Sequence, residues 1–422
     1  MKTPDTEPPF DLLIVGGGMV GAALAAACSG QGLRIAVTET REPARDWPAG
    51  EIDLRVSALS RASQRLLDRL RPRRGPSVWE RMTQLGVSPY REMWVWDAIG
   101  GASIHFDSAD LGEPDLGHIV ENRVTQLALW EYLEAAPDVT LLCPVRGAAL
   151  TLPVVVPGGT ARPDWARLTL SDGRCLTTRL LVGADGRDSW VRAQAGILTS
   201  GWDYDQQAIV AHVRTHEPHQ ETAWQRFLPT GPLAFLPLAD GRSSIVWSVT
   251  EERARALLAL DDAPFLGELE QASDRRLGTV TAVGRRVAFP LRLQHADAYV
   301  RPRLALIGDA AHAVHPLAGQ GVNLGLLDAA QLVDEIGAAR ERGRDIGGLW
   351  TLRRYERARR GDNLRMLGAM DGFKRLFSNA NPLLVAARNT GLAVADRLLP
   401  LKRLLMAQAL GQGADLPRLA RR

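Results

Sequence analysis

Residues 11–40 read DLLIVGGGMVGAALAAACSGQGLRIAVTET. The apolar run at 12–15 ends at Gly16-Gly17-Gly18-Met19-Val20-Gly21, an Ala-rich helical stretch follows, and a second β-rich run at 33–37 stops just before Glu39. This is a strand–helix–strand unit carrying G-x-G-x-x-G in the context that motif requires. Gly16 makes the turn, Gly18 lets backbone reach a pyrophosphate, and Gly21 permits close helix-to-strand packing. Glu39, eighteen residues past Gly21, stands where a carboxylate accepts from ribose hydroxyls. Alone the glycine pattern is weak; after a strand, before a helix and ahead of an acidic residue, it points to a bound dinucleotide.

Two further motifs sharpen that reading. Residues 303–328, RLALIGDAAHAVHPLAGQGVNLGLLD, run from a short apolar strand through Gly308-Asp309 into a Gly-rich loop that opens a helix. Asp309 then sits at a strand's carboxyl end, able to accept from a sugar hydroxyl. Pro316, Gly319 and Gly321 let backbone approach a flat, electron-accepting ring, which suggests a flavin. Residues 180–192, LLVGADGRDSWVR, form another apolar strand ending in Gly183-Ala184-Asp185-Gly186, with Ser189 and Arg192 one and two helical turns on. Either motif alone reads as an ordinary turn after a strand. Three strand-ending Gly/Asp turns, near residues 16, 185 and 308, can converge at one edge of a sheet.

The trio GxGxxG, GADGxxSxVR and GDAAH resembles the single-component flavoprotein aromatic hydroxylases, the p-hydroxybenzoate hydroxylase-like FAD monooxygenases. Residues 315–325, HPLAGQGVNLG, followed by Asp328, are similar to the signature of the ubiquinone-biosynthesis hydroxylases, the UbiH/UbiF/VisC group. RVSAL at 55–59, residues 117–122 with Arg123, FLPL at 235–238 and RYER at 354–357 are similar to segments of that group as well, so the likeness spans nearly the whole chain.

Motifs and resemblance together imply an α/β fold in which a Rossmann-type FAD-binding domain is interleaved with a mixed β-sheet substrate domain, followed by C-terminal helices. The FAD domain is expected in 1–80, 117–195 and 285–345, the substrate sheet in 81–116 and 196–284, and the helical segment in 346–422. Cofactor contacts are expected from Gly16, Gly18, Gly21, Glu39, Arg41, Arg55, Asn122, Arg123, Asp185, Gly186, Gly308, Asp309, Gly321, Val322 and Asn323. Pro316, Gly319, Gln320 and Gly321 would form the loop at the reactive flavin ring, with no protein acid or base assigned.

The reaction the resemblance implies is hydroxylation of the aromatic ring of a polyprenylated phenol or benzoquinol intermediate in ubiquinone biosynthesis, using NAD(P)H and O2 through a flavin C4a-hydroperoxide. The reactive group belongs to the cofactor, so no Ser-His-Asp or carboxylate pair is needed. With one GxGxxG in the chain, NAD(P)H would bind transiently, without a second Rossmann domain. Two alternatives stay open: hydroxylation of another aromatic metabolite, and a non-catalytic flavin-binding subunit of a quinone-biosynthesis complex. A flavin-dependent halogenase shares the fold, and Trp94-Val95-Trp96 is similar to its tryptophan motif. However, Asp97-Ala98-Ile99 replaces the Ile-Pro ending, and no lysine lies between Lys2 and Lys374.

Composition bounds the rest. With 422 residues, 45% hydrophobic and 23% charged, the chain suits two interlocked domains of an ordinary globular protein. The acidic, Pro-rich MKTPDTEPPF and an apolar run broken by glycine after four residues predict neither signal peptide nor membrane span. Cys28, Cys143 and Cys175 are widely spaced, so disulfides and zinc are not expected, and a reducing cytoplasm fits. His312 and His315 form HxxH without a third ligand nearby, and no metal is expected. From residue 340 onward, 18 Lys or Arg face 7 Asp or Glu, a net +11, while the remainder carries 33 basic and 41 acidic residues, a net −8. This basic, Leu-rich tail, interrupted by Pro400, reads either as helices on an anionic membrane or partner protein, or as a solvated face on helices capping the core. A cytoplasmic setting is expected; the first of these readings would add peripheral attachment to the inner face of the membrane, the resemblance implies other ubiquinone-biosynthesis proteins as partners, and a homo-oligomer stays open. Nucleic acid is not expected, since no binding motif accompanies the charge.

Overall fold

Val15, Gly183 and Leu306 lie side by side at the ends of three neighbouring parallel strands, Phe10–Val15, Cys175–Gly183 and Leu304–Leu306. The computed structural model that gives this arrangement describes residues 10–48, 50–153, 165–313, 321–377, 381–409 and 416–422. Among these, the first sheet runs in the order Val300–Arg301, Leu304–Leu306, Cys175–Gly183, Phe10–Val15, Ile35–Thr38, Val139–Leu142. Ala166–Leu170 and Gly147–Thr151 extend it through antiparallel pairings. Parallel strands are covered on both faces and therefore read as unbroken apolar runs. Leu12, Leu13, Ile14, Leu180, Leu181 and Val182 are all fully buried, each such side chain contributing about 1.5–3 kcal/mol. On one face the helix Met19–Cys28 packs against Gly321–Glu341 and Asn122–Glu134. Its Ala22, Ala23 and Ala25 are fully buried, because only small side chains leave room for helices this close.

The second sheet is mostly antiparallel. Its order is His312–Ala313, Val287–Ala296, Thr199–Thr215, Ser243–Thr250, Gly231–Pro237, Thr222–Leu228, Glu92–Asp97, Ser103–Asp107, with Val280–Val283 beside Thr199–Thr215. One face is closed by the helices Glu251–Leu258 and Asp262–Ala272, which bury Trp247, Phe265 and Leu269. The chain leaves this sheet through Val287–Ala296, builds the Leu304–Leu306 strand of the first sheet, and returns at His312–Ala313 to pair with Val287–Ala296. The two sheets are thus stitched together beside the Gly308 turn. A three-stranded sheet, Val56–Leu59, Gly117–Glu121 and Ser88–Tyr90, lies between them.

The C-terminal helix Leu349–Phe377 packs along Gly321–Glu341 and the strand Val300–Arg301, Pro382–Arg397 covers the outer strand Ser103–Asp107 of the second sheet, and Leu399–Ala409 lies against the turn Ser108–Leu111 that follows it. Phe227 stacks on Phe377 at 4.0 Å between ring centroids. Fully buried Arg388 pairs with Asp97 at 2.9 Å. Pro400 occupies the first turn of its helix, where a missing N–H is tolerated. The final turn, Arg418–Ala420, folds back on the first domain, its Arg418 amide donating to Asp334 at 2.8 Å and its neighbour Arg422 pairing with Glu113. Most of the tail therefore caps the core. No helix among the described residues is long and apolar enough to cross a membrane.

Candidate functional site

Because the three strands are adjacent and parallel, their three turns meet at one sheet edge. In the first turn Gly16 has φ +106°, and a Cβ there would stand 2.4 Å from the Ala184 carbonyl oxygen. A Cβ on Gly21 would stand 2.0 Å from the Gly16 carbonyl oxygen, so the helix can follow the turn this tightly only without a side chain. Gly18 is the opposite case: a Cβ there would meet nothing within 4 Å. It caps the helix Met19–Cys28 with no side-chain hydrogen bond and no acidic residue in the first turn. That leaves an uncapped helix N-terminus facing open space, a ready anion site of the kind a pyrophosphate occupies.

Glu39 stands across from it, half-buried. Its Oε2 accepts from the Gly17 amide at 2.8 Å, and its Oε1 accepts from the amide and hydroxyl of Thr40 at 2.6 and 2.9 Å. A carboxylate has about four acceptor sites, so Oε2 keeps capacity for a ribose hydroxyl. The Trp130 indole fixes the loop from the other side by donating to the Gly17 carbonyl at 2.7 Å.

The second turn is braced internally. Asp185 accepts from the hydroxyl of Ser189, the N-cap of the short helix Trp190–Gln194, at 2.5 Å and from the Val191 amide in its first turn at 3.0 Å. Burial pushes its carboxyl above the usual range, offset in part by those two bonds. Buried Arg192 donates to the carbonyls of Ala310 at 2.9 Å and Arg187 at 2.8 Å, tying the second turn to the third.

In the third turn Asp309 is exposed at the cleft, where neighbouring protein pushes its carboxyl up against the opposing pull of His312 and Arg187. A carboxylate open to the cleft can accept from hydroxyl donors there. Gly18, Gly186, Asp309, Asn122, Gly321 and Val322 all border one cleft of about 360 Å³, with Val56, Phe289 and Leu291 as apolar wall. The glycine cradle, the open helix end and the carboxylate fit a flavin dinucleotide.

The remaining expected residues divide. Arg55 is exposed at the rim, its guanidinium 5.6 Å from the centre of the Phe289 ring. Arg41 is exposed beyond Glu39. Arg123 is directed elsewhere: it pairs with Glu121 at 2.8 Å, donates to the Glu51 carbonyl at 2.5 Å, and lies over Trp47. Asn323 is turned from the cleft into the core, accepting from the Ser60 amide and the Ser63 hydroxyl and donating to the Ala58 carbonyl at 2.8 Å. It clamps the helix Gly321–Glu341 to the strand Val56–Leu59. Pro316, Gly319 and Gln320 lie outside the described residues, as does His315.

Sequence reasoning gave no role to the network behind the third turn. Asp328, fully buried, accepts from the Gly308 amide at 3.0 Å, from His312 at 2.5 Å and from Arg359 at 2.8 Å. Burial pushes its carboxyl up, but His312 and Arg359 outweigh this and hold it at about 2. Asn363 joins Asp328 to the Tyr299 hydroxyl, which contacts His295 at 3.0 Å. His312 is thus engaged by a carboxylate. The one available signal was Asp328 at the end of the 303–328 motif; nothing marked Arg359, thirty-one residues further on.

Comparison with known proteins gives the family. Residues 163–364 match the family model described as an FAD binding domain. The chain is 41% identical to the 3-demethoxyubiquinol 3-hydroxylase of Escherichia coli (strain K12), over 96% of this chain and 100% of that protein. It is 41% identical to the ubiquinone hydroxylase UbiL of Rhodospirillum rubrum, over 99% and 94%. With the human mitochondrial ubiquinone biosynthesis monooxygenase COQ6 it shares 38% identity, over 96% and 93%. Among solved structures, p-nitrophenol 4-monooxygenase PnpA from Pseudomonas putida DLL-E4 has the same fold, with a TM-score of 0.76 and 19% identity over 96% of this chain and 99% of that one. The chain belongs to the family of ubiquinone-biosynthesis FAD-dependent hydroxylases.

Proposed function

We propose that this chain hydroxylates the aromatic ring of a polyprenylated phenol or benzoquinol intermediate of ubiquinone biosynthesis, with FAD as resident cofactor and NAD(P)H and O2 as co-substrates. The observation that carries this reading is the meeting of an uncapped helix N-terminus at Gly18 and a carboxylate at Asp309 in one cleft with an apolar wall. Bound FAD supplies the redox chemistry, accepting hydride from NAD(P)H and activating O2. In this reading the Gly18 helix end holds the pyrophosphate, Glu39 the adenosine ribose and Asp309 the ribityl hydroxyls. The N-terminus of the helix Gly321–Glu341 offsets negative charge at the ring edge. Val56, Phe289 and Leu291 exclude water. We assign 1–80, 117–195 and 285–345 to the FAD domain, 81–116 and 196–284 to the substrate sheet, and 346–422 to the helical cover. Complementation of strains lacking each ubiquinone hydroxylase should restore ubiquinone in at least one of them. Restoration in none, with no phenol stimulating NAD(P)H oxidation by the FAD-loaded protein, would overturn the reading.

A second part of the proposal concerns how so apolar a substrate arrives. Val394, Leu399 and Leu404 on consecutive C-terminal helices, and Leu398 at their junction, are exposed beside exposed Arg397 and Arg403. This supports peripheral docking on the anionic inner face of the membrane, each basic side chain near that surface contributing about 1 kcal/mol. Binding to anionic liposomes should fall with rising salt and with Leu398→Ser plus Leu404→Ser. Binding indifferent to both would contradict it.

A further inference from the structure

The strand Thr222–Leu228 presents Ala223, Gln225 and Phe227 on one face. Ala223 belongs to an apolar cluster with Tyr90, Leu116, Leu236 and Met406. Phe227 belongs to another, with Val95, Ile104, Phe377 and Ala395. Gln225 stands between them, a neutral amide where the flanking face is apolar. It is only 6% exposed, and its amide makes no hydrogen bond among the described residues. Unlike Gln206 Oε1 and Ser244 Oγ, which are sealed without partners, its amide atoms open onto accessible space.

Register places this amide on the sheet face that borders the flavin cleft. Gln225 pairs with Ala234, Ala234 with Val246, Val246 with Val210, and Val210 with Val287. Paired residues share a face, and so do residues two apart, so Gln225 lies on the same face as the cleft-wall residue Phe289, four strands away. At the far end of that face the charges of Asp97 and Arg388 are spent on each other.

We propose that Gln225 is a substrate-binding residue, its amide hydrogen-bonding a neutral oxygen substituent on the substrate's aromatic ring. The inference rests on the hydroxylase reading above and adds the polar contact and the class of ring it accepts. A buried amide is stable when paired and unfavourable when not. A phenol or quinol hydroxyl can pair with it as donor or acceptor, and a methoxyl oxygen as acceptor. A ring carboxylate is discriminated against, because the clusters flanking the amide are apolar and the nearby Arg388 is engaged by Asp97.

Gln225→Met keeps length and bulk while removing the hydrogen bonds, and Gln225→Asn keeps the amide on a shorter arm. Both should bind FAD normally, because Gln225 is remote from the glycine turns. In Gln225→Met, KM for a short-tailed neutral phenol should rise about tenfold, the energy of one neutral hydrogen bond. More of the NAD(P)H oxidised should end as hydrogen peroxide, because the ring is held less well. Gln225→Asn should fall between wild type and Gln225→Met. An FAD-loaded Gln225→Met protein with unchanged KM and coupling overturns the inference alone. Wild-type protein whose NAD(P)H oxidation no phenol stimulates overturns the hydroxylase reading with it.

Discussion

The edge of the first sheet and the covered face of the second are built by different means. At the edge, the site is made largely of backbone: an uncapped helix end, glycine turns that set the Glu39 and Asp309 carboxylates beside it, and approaches so close that one methyl group would collide with a carbonyl. On the covered face, the structure is made of side chains that find one another across the chain, as Asp97 and Arg388 do across 291 residues. Backbone geometry is local, so it leaves motifs of fixed spacing. Long-range side-chain pairing leaves almost no mark on the sequence. The two regions should therefore fail differently when altered, the first losing its cofactor and the second its stability.

Gly21→Val should have the largest effect. The Gly16 carbonyl oxygen would lie 2.0 Å from the new Cβ, so turn and helix must separate and the protein should purify colourless. Normal flavin content would mean that the close approach is dispensable and would erase the contrast. Arg388→Ala should act on the other region. Removing one partner of a buried pair leaves an uncompensated charge, here Asp97, at about 3–5 kcal/mol. Thermal unfolding should fall sharply while FAD affinity of the folded protein is kept. Replacing both partners by apolar residues should recover much of the loss. A large drop in FAD affinity instead would mean that the helical cover reaches the cofactor. Asp309→Ala removes one charge-assisted hydrogen bond, worth about 1.5–3 kcal/mol. FAD should bind about tenfold to a hundredfold more weakly, with little change in melting temperature. An unchanged dissociation constant in a flavin titration would sink that assignment.

The same contrast explains what could be read in advance. The βαβ unit and the three convergent turns follow from apolar runs that end at glycine, and the interleaving of two sheets from the resemblance. The destinations of the arginines do not. Arg123 follows Asn122 at the cleft yet turns to Glu51, Glu121 and Trp47, a choice made by neighbours up to 76 positions away. Arg192 and Arg359 hold the flavin turns from behind, and their partners are fixed only once the strands are side by side. The tail shows the same effect: its charge count allowed either a membrane face or a cap, and Arg388 and Lys402 are in fact paired with Asp97 and Asp110 at the outer strands of the second sheet. Gln225 was visible as a letter within Gln225-Arg226-Phe227. Its burial between two apolar clusters was not.

The most direct test of the central claim follows the oxygen atom. FAD-loaded protein given NAD(P)H and a short-tailed neutral phenol under isotopically heavy O2 should release a product carrying one heavy oxygen on the ring, with NAD(P)H consumed in step with it. A product whose new oxygen comes from water, or NAD(P)H oxidation that yields only hydrogen peroxide whichever phenol is supplied, would contradict the account.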